Sequence, residues 1–264
     1  MMHLSWQNGV RGLLGGVLLL AATSGAAAQT VLESSNEVRF QFDFKVPDAA
    51  LAALLPQGFT SNVATQGPAK DCNVRVIFID RVTINGPDGM PLGKGSNQLV
   101  YLTAPVKDAT GANAQLVLGG LTADPADAPG PFGNYLLATT HSVKRTVDRP
   151  ATGAGPMMES QDWVFAAATG EHLEMHLTYE RGGANKRPLT DVKFYSAKNP
   201  AMALISREEL VLDILRNVTT TPADRVKTFS VKAGGGSFAK LFDGTEKVLS
   251  WDNILWLNRS LLRP

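Results

Sequence analysis

The sequence predicts a single β-rich α+β domain whose sheet is closed, or nearly closed, into a barrel-like form. Three observations lead there. Short β-type runs recur along nearly the whole chain, separated by Gly, Pro, Asn and Asp. Few segments read as helices, and no internal repeat or linker divides the chain. Many strands in one domain leave edges that invite aggregation, and closure removes them. The length of 264 residues, with 44% hydrophobic side chains, is enough for a full core.

Residues 1–28 stand apart. Arg11 supplies a basic start, Leu13 to Ala22 form a short apolar run, and Ala26, Ala27 and Ala28 precede Gln29. The run is roughly half of the ~20 residues that a spanning helix needs, so the segment reads as a cleaved secretory signal rather than an anchor. A domain over 29–264 in the periplasm or outside the cell is expected, with no membrane span. The single cysteine, Cys72, is then expected to be a buried small hydrophobe. Charge is balanced, with 25 Lys and Arg against 24 Asp and Glu, and no basic patch is evident. Nucleic acid is excluded as a partner on that ground.

The clearest strand opens the domain. Val38, Phe40, Phe42 and Phe44 alternate with Arg39, Gln41, Asp43 and Lys45, so the apolar set shares one face and the polar set faces out or into a polar cavity. Pro47 suits the first turn of a short helix with Leu51, Leu54 and Leu55 on one side, stopped by Pro56 and Gly58. Further strands are expected over 73–81, 98–103, 115–119, 163–167, 172–179, 191–195 and 225–231. Ser206 with Glu209 reads as a capping box, which predicts a second helix near 207–216.

Motifs for cofactors are missing: there is no phosphate loop, dinucleotide fingerprint, nucleophile elbow or Cys-x-x-Cys pair, and no cofactor is expected. Gly234-Gly235-Gly236 reads as a turn. Beyond the signal, the histidines are His141, His172 and His176. On a strand, His172, Glu174 and His176 share a face, opposite Leu173, Met175 and Leu177. His172 and His176 would lie ~13 Å apart, too far for one ion, so the strand alone offers no three-ligand metal site. Glu174 with one of these histidines and His141 remains sterically conceivable as a metal site. The face also fits a solvated surface or an interior acid/base pair.

Three stretches are similar to the acetoacetate decarboxylase-like family. The first is Phe40–Phe59, a strand leading into a short helix that ends at Leu54-Leu55-Pro56. The second is Thr103-Ala104-Pro105-Val106, followed by a strand from Leu116 to the acidic Asp124. The third is Lys240-Leu241-Phe242-Asp243. The resemblance implies a β-barrel-like fold with a central cavity, often assembled as an oligomer. It also implies Schiff-base chemistry by a lysine whose neighbouring lysine lowers its pKa. The stretch that corresponds to the family's lysine pair is Gly130–Arg145, and it has no Lys-Lys. The Schiff-base position falls near Leu137 to Thr139, and Lys144 matches a later lysine. The family's acid before the Ala-Pro-Val element is replaced by Gln98 or Leu99.

The expected function is therefore an enzyme acting on a small carbonyl or carboxylic compound. Lys144 would be amine nucleophile or carboxylate anchor, and His141 or Glu174 the general acid/base. His172, His176 and Arg145 would contact substrate. A binding protein for a small hydrophobic acid is the alternative. The mature chain is expected to begin near Gln29, and the intact mass of protein exported by its host checks this: a mass that retains residues 1–28 would remove the argument for export.

Overall fold

A computed structural model describes residues 29–151, 153, 155–216 and 225–264; the expected signal segment lies outside them. The strands are β1 (Thr30–Lys45), β2 (Thr60–Ser61), β3 (Val74–Asn85), β4 (Asn97–Lys107), β5 (Asn113–Thr122) and β6 (Tyr135–Asp148). They continue with β7 (Met158–Ala167), β8 (His172–Glu180), β9 (Asn185–Ser196), β10 (Ala203–Arg216), β11 (Val226–Gly234) and β12 (Lys247–Arg263). One short helix, α1 (Asp48–Ala52), follows β1, and a 3-10 turn spans Gly236–Phe238. Among the described residues no helix is long and apolar enough to cross a membrane.

Strand pairing returns on itself. In the order β4, β5, β9, β10, β12, β1, β3 and back to β4, each strand pairs with the next, a ring of seven within a sheet of 12 strands. The contacts of β5 with β6 and with β9 are parallel; the other pairings are antiparallel. The closing pair, β4 with β5, brings backbones so near that a Cβ on Gly120 would sit 2.4 Å from the Val100 carbonyl oxygen, which only glycine avoids. From β5 the sheet continues through β6, β7, β8 and β11.

The two faces of β1 divide the molecule. Phe40, Phe42 and Phe44 are buried against Phe78 of β3, Trp163 and Phe165 of β7, and Leu173, Met175 and Leu177 of β8. This larger core fills the space between the ring's outer face and the β6–β7–β8–β11 layer. The opposite face of β1 carries Glu33, Ser35, Glu37, Arg39, Gln41 and Asp43 to the inside of the ring. A second apolar cluster lies there, formed by Ile77 and Ile79 of β3, Leu99 and Tyr101 of β4, Val117 of β5, Phe194 of β9, Leu204 of β10 and Leu261 of β12.

The expected helix near 207–216 is instead the greater part of β10. Ser206 donates its hydroxyl to Glu208 Oε1 at 2.6 Å rather than capping a helix, and Leu204, Ser206 and Glu208 turn to the buried side in period two. Pairing with β9 on one side and β12 on the other satisfies the backbone along the segment, and that tertiary gain overrides a local cap. Strands β2, β6 and β12, and the sheet role of β10, did not emerge from periodicity. The remaining expected strands, α1 and buried Cys72 are present.

The triple-glycine turn has a specific task. Gly235 and Gly236 have φ of 70° and 45°, and a Cβ on Gly236 would lie 2.2 Å from the Glu171 carboxyl carbon. That carboxylate accepts bonds from the Ser237 backbone N–H at 3.0 Å and the Ser237 hydroxyl at 3.1 Å, tying the β7–β8 turn to the end of β11. Its pKa is held down at about 2, first by the Thr169 hydroxyl and then by the Ser237 N–H.

Phe42, fully buried amid Phe40, Phe44, Phe78 and Trp251, sets a test of this architecture. Phe42→Ala is expected to cost about 3–5 kcal/mol in denaturant unfolding. A loss below about 1 kcal/mol would contradict the packing of the Phe face.

Candidate active site

The side chains expected to share one cavity lie on the outer layer, around two different pockets. Alternation on β8 buries Leu173, Met175 and Leu177 against the Phe core, which turns His172, Glu174 and His176 outward. His172 Nδ1 lies 3.1 Å from the Gly170 carbonyl oxygen, Glu174 pairs with Lys232 at 3.4 Å, and His176 Nδ1 bonds Asp162. Glu174 and His176 line a small pocket of about 190 Å³ together with Ser230 and Lys232. His141, on β6, stacks on Phe165 and opens onto a different pocket of about 320 Å³, beside Asp80, Gln98 and Asp124.

Lys144 is exposed on β6 opposite Asp162, and Arg145 binds Glu159 at 2.7 Å. The far half of β6 stands clear of the ring, so neither basic side chain reaches the ring's interior. The metal site that β8 and His141 left conceivable has its ligands in separate pockets. Among the described residues no group of three or more His, Cys, Asp and Glu is arranged to hold a metal.

A network of ionisable groups in a secluded setting lies inside the ring. Glu37 is the hub: its Oε2 accepts from Arg39 Nε at 2.7 Å, and its Oε1 accepts from Arg81 Nε at 3.3 Å and from the Ser35 hydroxyl at 2.6 Å. Arg259 Nη2 bridges Glu33 Oε1 at 2.7 Å and Glu37 Oε1 at 3.2 Å, while Arg81 Nη2 holds Glu33 at 2.6 Å. Arg39 also approaches Glu208 of β10 at 3.7 Å. All of these residues are buried. Burial alone would raise the Glu37 pKa, but Arg259, Arg39 and Arg81 override it and hold the carboxyl far below the usual range. Burial pushes the Tyr101 and Tyr135 phenols up, so both stay neutral.

Toward the other end of β1 the interior charges are arranged differently. Asp43 pairs with Arg75, whose Nε lies 3.0 Å away, accepts from Gln41 Nε2 at 3.1 Å, and bonds the Ser250 hydroxyl. Cys72 also approaches Asp43, at 3.7 Å; burial and that carboxylate push its thiol up to about 12, which makes it inert. Asp252, opposite Gln41 on β12, has a buried Oδ1 with no hydrogen-bond partner. Desolvation, then the Asp43 charge, raise its pKa to about 7. Arg75 and Gln115 line a pocket of about 500 Å³ at this end of the ring, and Thr103 donates its hydroxyl to Gln115 Oε1 at 3.2 Å.

Sequence reasoning placed Arg39 and Asp43 on a polar face but did not single them out, and it missed Glu33, Glu37, Arg75, Arg81, Asp252 and Arg259. One signal was available: the polar face of β1 carries charges of both signs at two-residue spacing, more than a solvated face requires. Its partners are scattered over strands whose register no local pattern reveals.

The sequence matches no model of a known family and no curated protein. The structure does have matches. MppR, an enduracididine biosynthesis enzyme solved with pyruvate, superposes with a TM-score of 0.54 at 11% identity, over 96% of this chain and 97% of that one. A complex of MppR with the condensation product of pyruvate and imidazole 4-carboxaldehyde has a TM-score of 0.52 at 11% identity, covering 97% of each chain. An acetoacetate decarboxylase-like enzyme from Sphingomonas wittichii RW1 has a TM-score of 0.54 at 14% identity, over 95% of this chain and 98% of that one. Identities this low speak for architecture alone, and the architecture of this chain is the fold of the acetoacetate decarboxylase-like enzymes.

Proposed function

We propose that this protein is an exported enzyme of lyase or acid–base type that acts on a small carboxylic or carbonyl compound. In this reading the seven-strand ring is a barrel and its polar interior the reaction chamber. The observation that carries the proposal is Asp252, a carboxyl with a pKa of about 7 beside Asp43 and Arg75, at the end of the ring where Arg75 lines the 500 Å³ pocket. A group that titrates near neutral pH both accepts and donates a proton readily, and a secluded, desolvated setting is where such groups serve chemistry.

The roles follow from the atoms. The Arg75 guanidinium, ion-paired with Asp43, anchors a carboxylate. Asp252 in its ionised form takes a proton from the carbon next to the carbonyl and returns it. Covalent chemistry through an amine has no support at this pocket. Its lysine, Lys193, is held charged by the Asp108 carboxylate and then by the Tyr195 hydroxyl, whereas carbonyl condensation needs the neutral amine. The pyruvate bound by MppR has the size and chemistry that this reading requires. Binding without turnover is the second reading, supported by the interior cations being already paired with carboxylates, a frame set for recognition as much as for reaction.

Two measurements test the enzyme reading. Exchange of the pyruvate methyl protons in D₂O, followed by NMR, should be accelerated by the protein with a rate that rises through about pH 7, and Asp252→Asn should lower it at least tenfold. Borohydride treatment with pyruvate should leave the intact mass unchanged; an adduct, or exchange indifferent to Asp252→Asn, would defeat the proposal. Stability gives an independent check. Folded Asp252 keeps its proton up to about pH 7, against an ordinary value of 3.8. Its contribution is full below about pH 4 and is lost as pH climbs to 7. Urea unfolding of Asp252→Asn should therefore show a flatter decline over that window than the parent protein.

A further inference from the structure

The pocket at the Arg75 end of the ring has a second cation. Lys193 of β9 lines it as well, with the amides of Asn62, Asn113 and Gln115 around them. The acidic residue of the lining, Asp191, is committed to Arg207, which it meets at 2.8 Å through both Nε and Nη2. Each of the two cations has a counter-carboxylate that is shared among other donors. Asp108 accepts Lys193 Nζ at 2.8 Å and the Tyr195 hydroxyl at 2.9 Å on Oδ2, and the Thr110 hydroxyl and backbone N–H on Oδ1. Asp43 is divided among Arg75, Gln41 and Ser250, and Asp252, the second carboxyl near Arg75, keeps its proton up to about pH 7.

A carboxylate whose lone pairs are spread over several donors neutralises any one cation only in part. The Lys193 ammonium carries three donors; Asp108 takes one and the Tyr195 hydroxyl a second, and its side chain is 32% exposed. Arg75 Nε lies 3.0 Å from Asp43 Oδ1 as an ion pair, yet that buried nitrogen has no hydrogen-bond partner. Two incompletely neutralised cations on β3 and β9, with neutral amides around them, make a pocket that favours two negative charges over one.

We propose that the ligand of this pocket is a short dicarboxylic acid, one carboxylate held by Arg75 and the other by Lys193. This rests on the reading above that the pocket receives a small acid, and it names the class of acid. The two assignments separate by chain chemistry, because succinate and butyrate share a four-carbon backbone and differ in the second carboxylate. Lys193 sets the preference; Arg75 is required for either.

Isothermal titration of the full chain with succinate and with butyrate, in low-salt buffer free of carboxylates, is the test. Succinate should bind at least tenfold more tightly than butyrate. Lys193→Gln should erase that ratio, Lys193→Arg should preserve it and so report that the pocket remains folded, and Arg75→Gln should weaken both acids. Equal affinities in the parent protein, or a ratio that survives Lys193→Gln, would overturn the dicarboxylate assignment while leaving the small-acid site standing. Binding of neither acid would overturn both.

Discussion

The burial of Glu37 among three arginines constrains everything around it. A carboxylate and guanidinium groups taken out of water lose several kcal/mol each of hydration, and only close, well-directed contacts recover it. Arg39 comes from the same strand, Arg81 from β3 and Arg259 from β12. Those three strands must stay in register for Glu37 to be tolerated, since removing one partner would leave an uncompensated buried charge. Such a network adds little net stability over an apolar filling. What it does is penalise every alternative register, and it keeps the interior of the ring polar.

The same strand solves the opposite problem on its other face. Phe40, Phe42 and Phe44 project into the space closed by β7 and β8, where Trp163, Phe165 and Leu173 receive them. A strand that is buried on both faces, one apolar and one ionic, is well determined, because a slip by one residue would drive phenyl rings into the charge network and carboxylates into the aromatic core. The outer layer exists to cover the Phe face. Its own solvent face is free to carry Lys144, Glu174 and His176, which explains why ionisable groups abundant there are not collected into one cavity.

The charge balance is imperfect at the other end of the ring. Glu33 and Glu37 are each met by more than one arginine, and the Glu37 carboxyl stays ionised. Around Asp252 the Asp43 charge adds to desolvation, and the opposing pull of Arg75 and Arg187 does not repay it. The excess appears as a raised pKa rather than as an ion pair. One ring thus holds a compensated charge network that maintains shape and an uncompensated carboxyl that can exchange a proton.

Local pattern alone determined the β-rich class, the Phe face of β1, the Pro-bounded helix, the buried Cys72 and a likeness to the acetoacetate decarboxylase-like family, because each is written within a few residues of chain. Only the tertiary structure decided that 207–216 is a strand, since its pairing with β9 and β12 outweighs a plausible cap. It also decided where the interior charges meet. Glu33 and Arg259 are 226 residues apart, yet they bond at 2.7 Å. His172 and His176 are neighbours in sequence and conspicuous by rarity, yet alternation turns them to the surface once Leu173 and Met175 find the core. Side-chain direction follows from period two, but which direction is inside depends on what the rest of the chain packs against it, and no local pattern contains that.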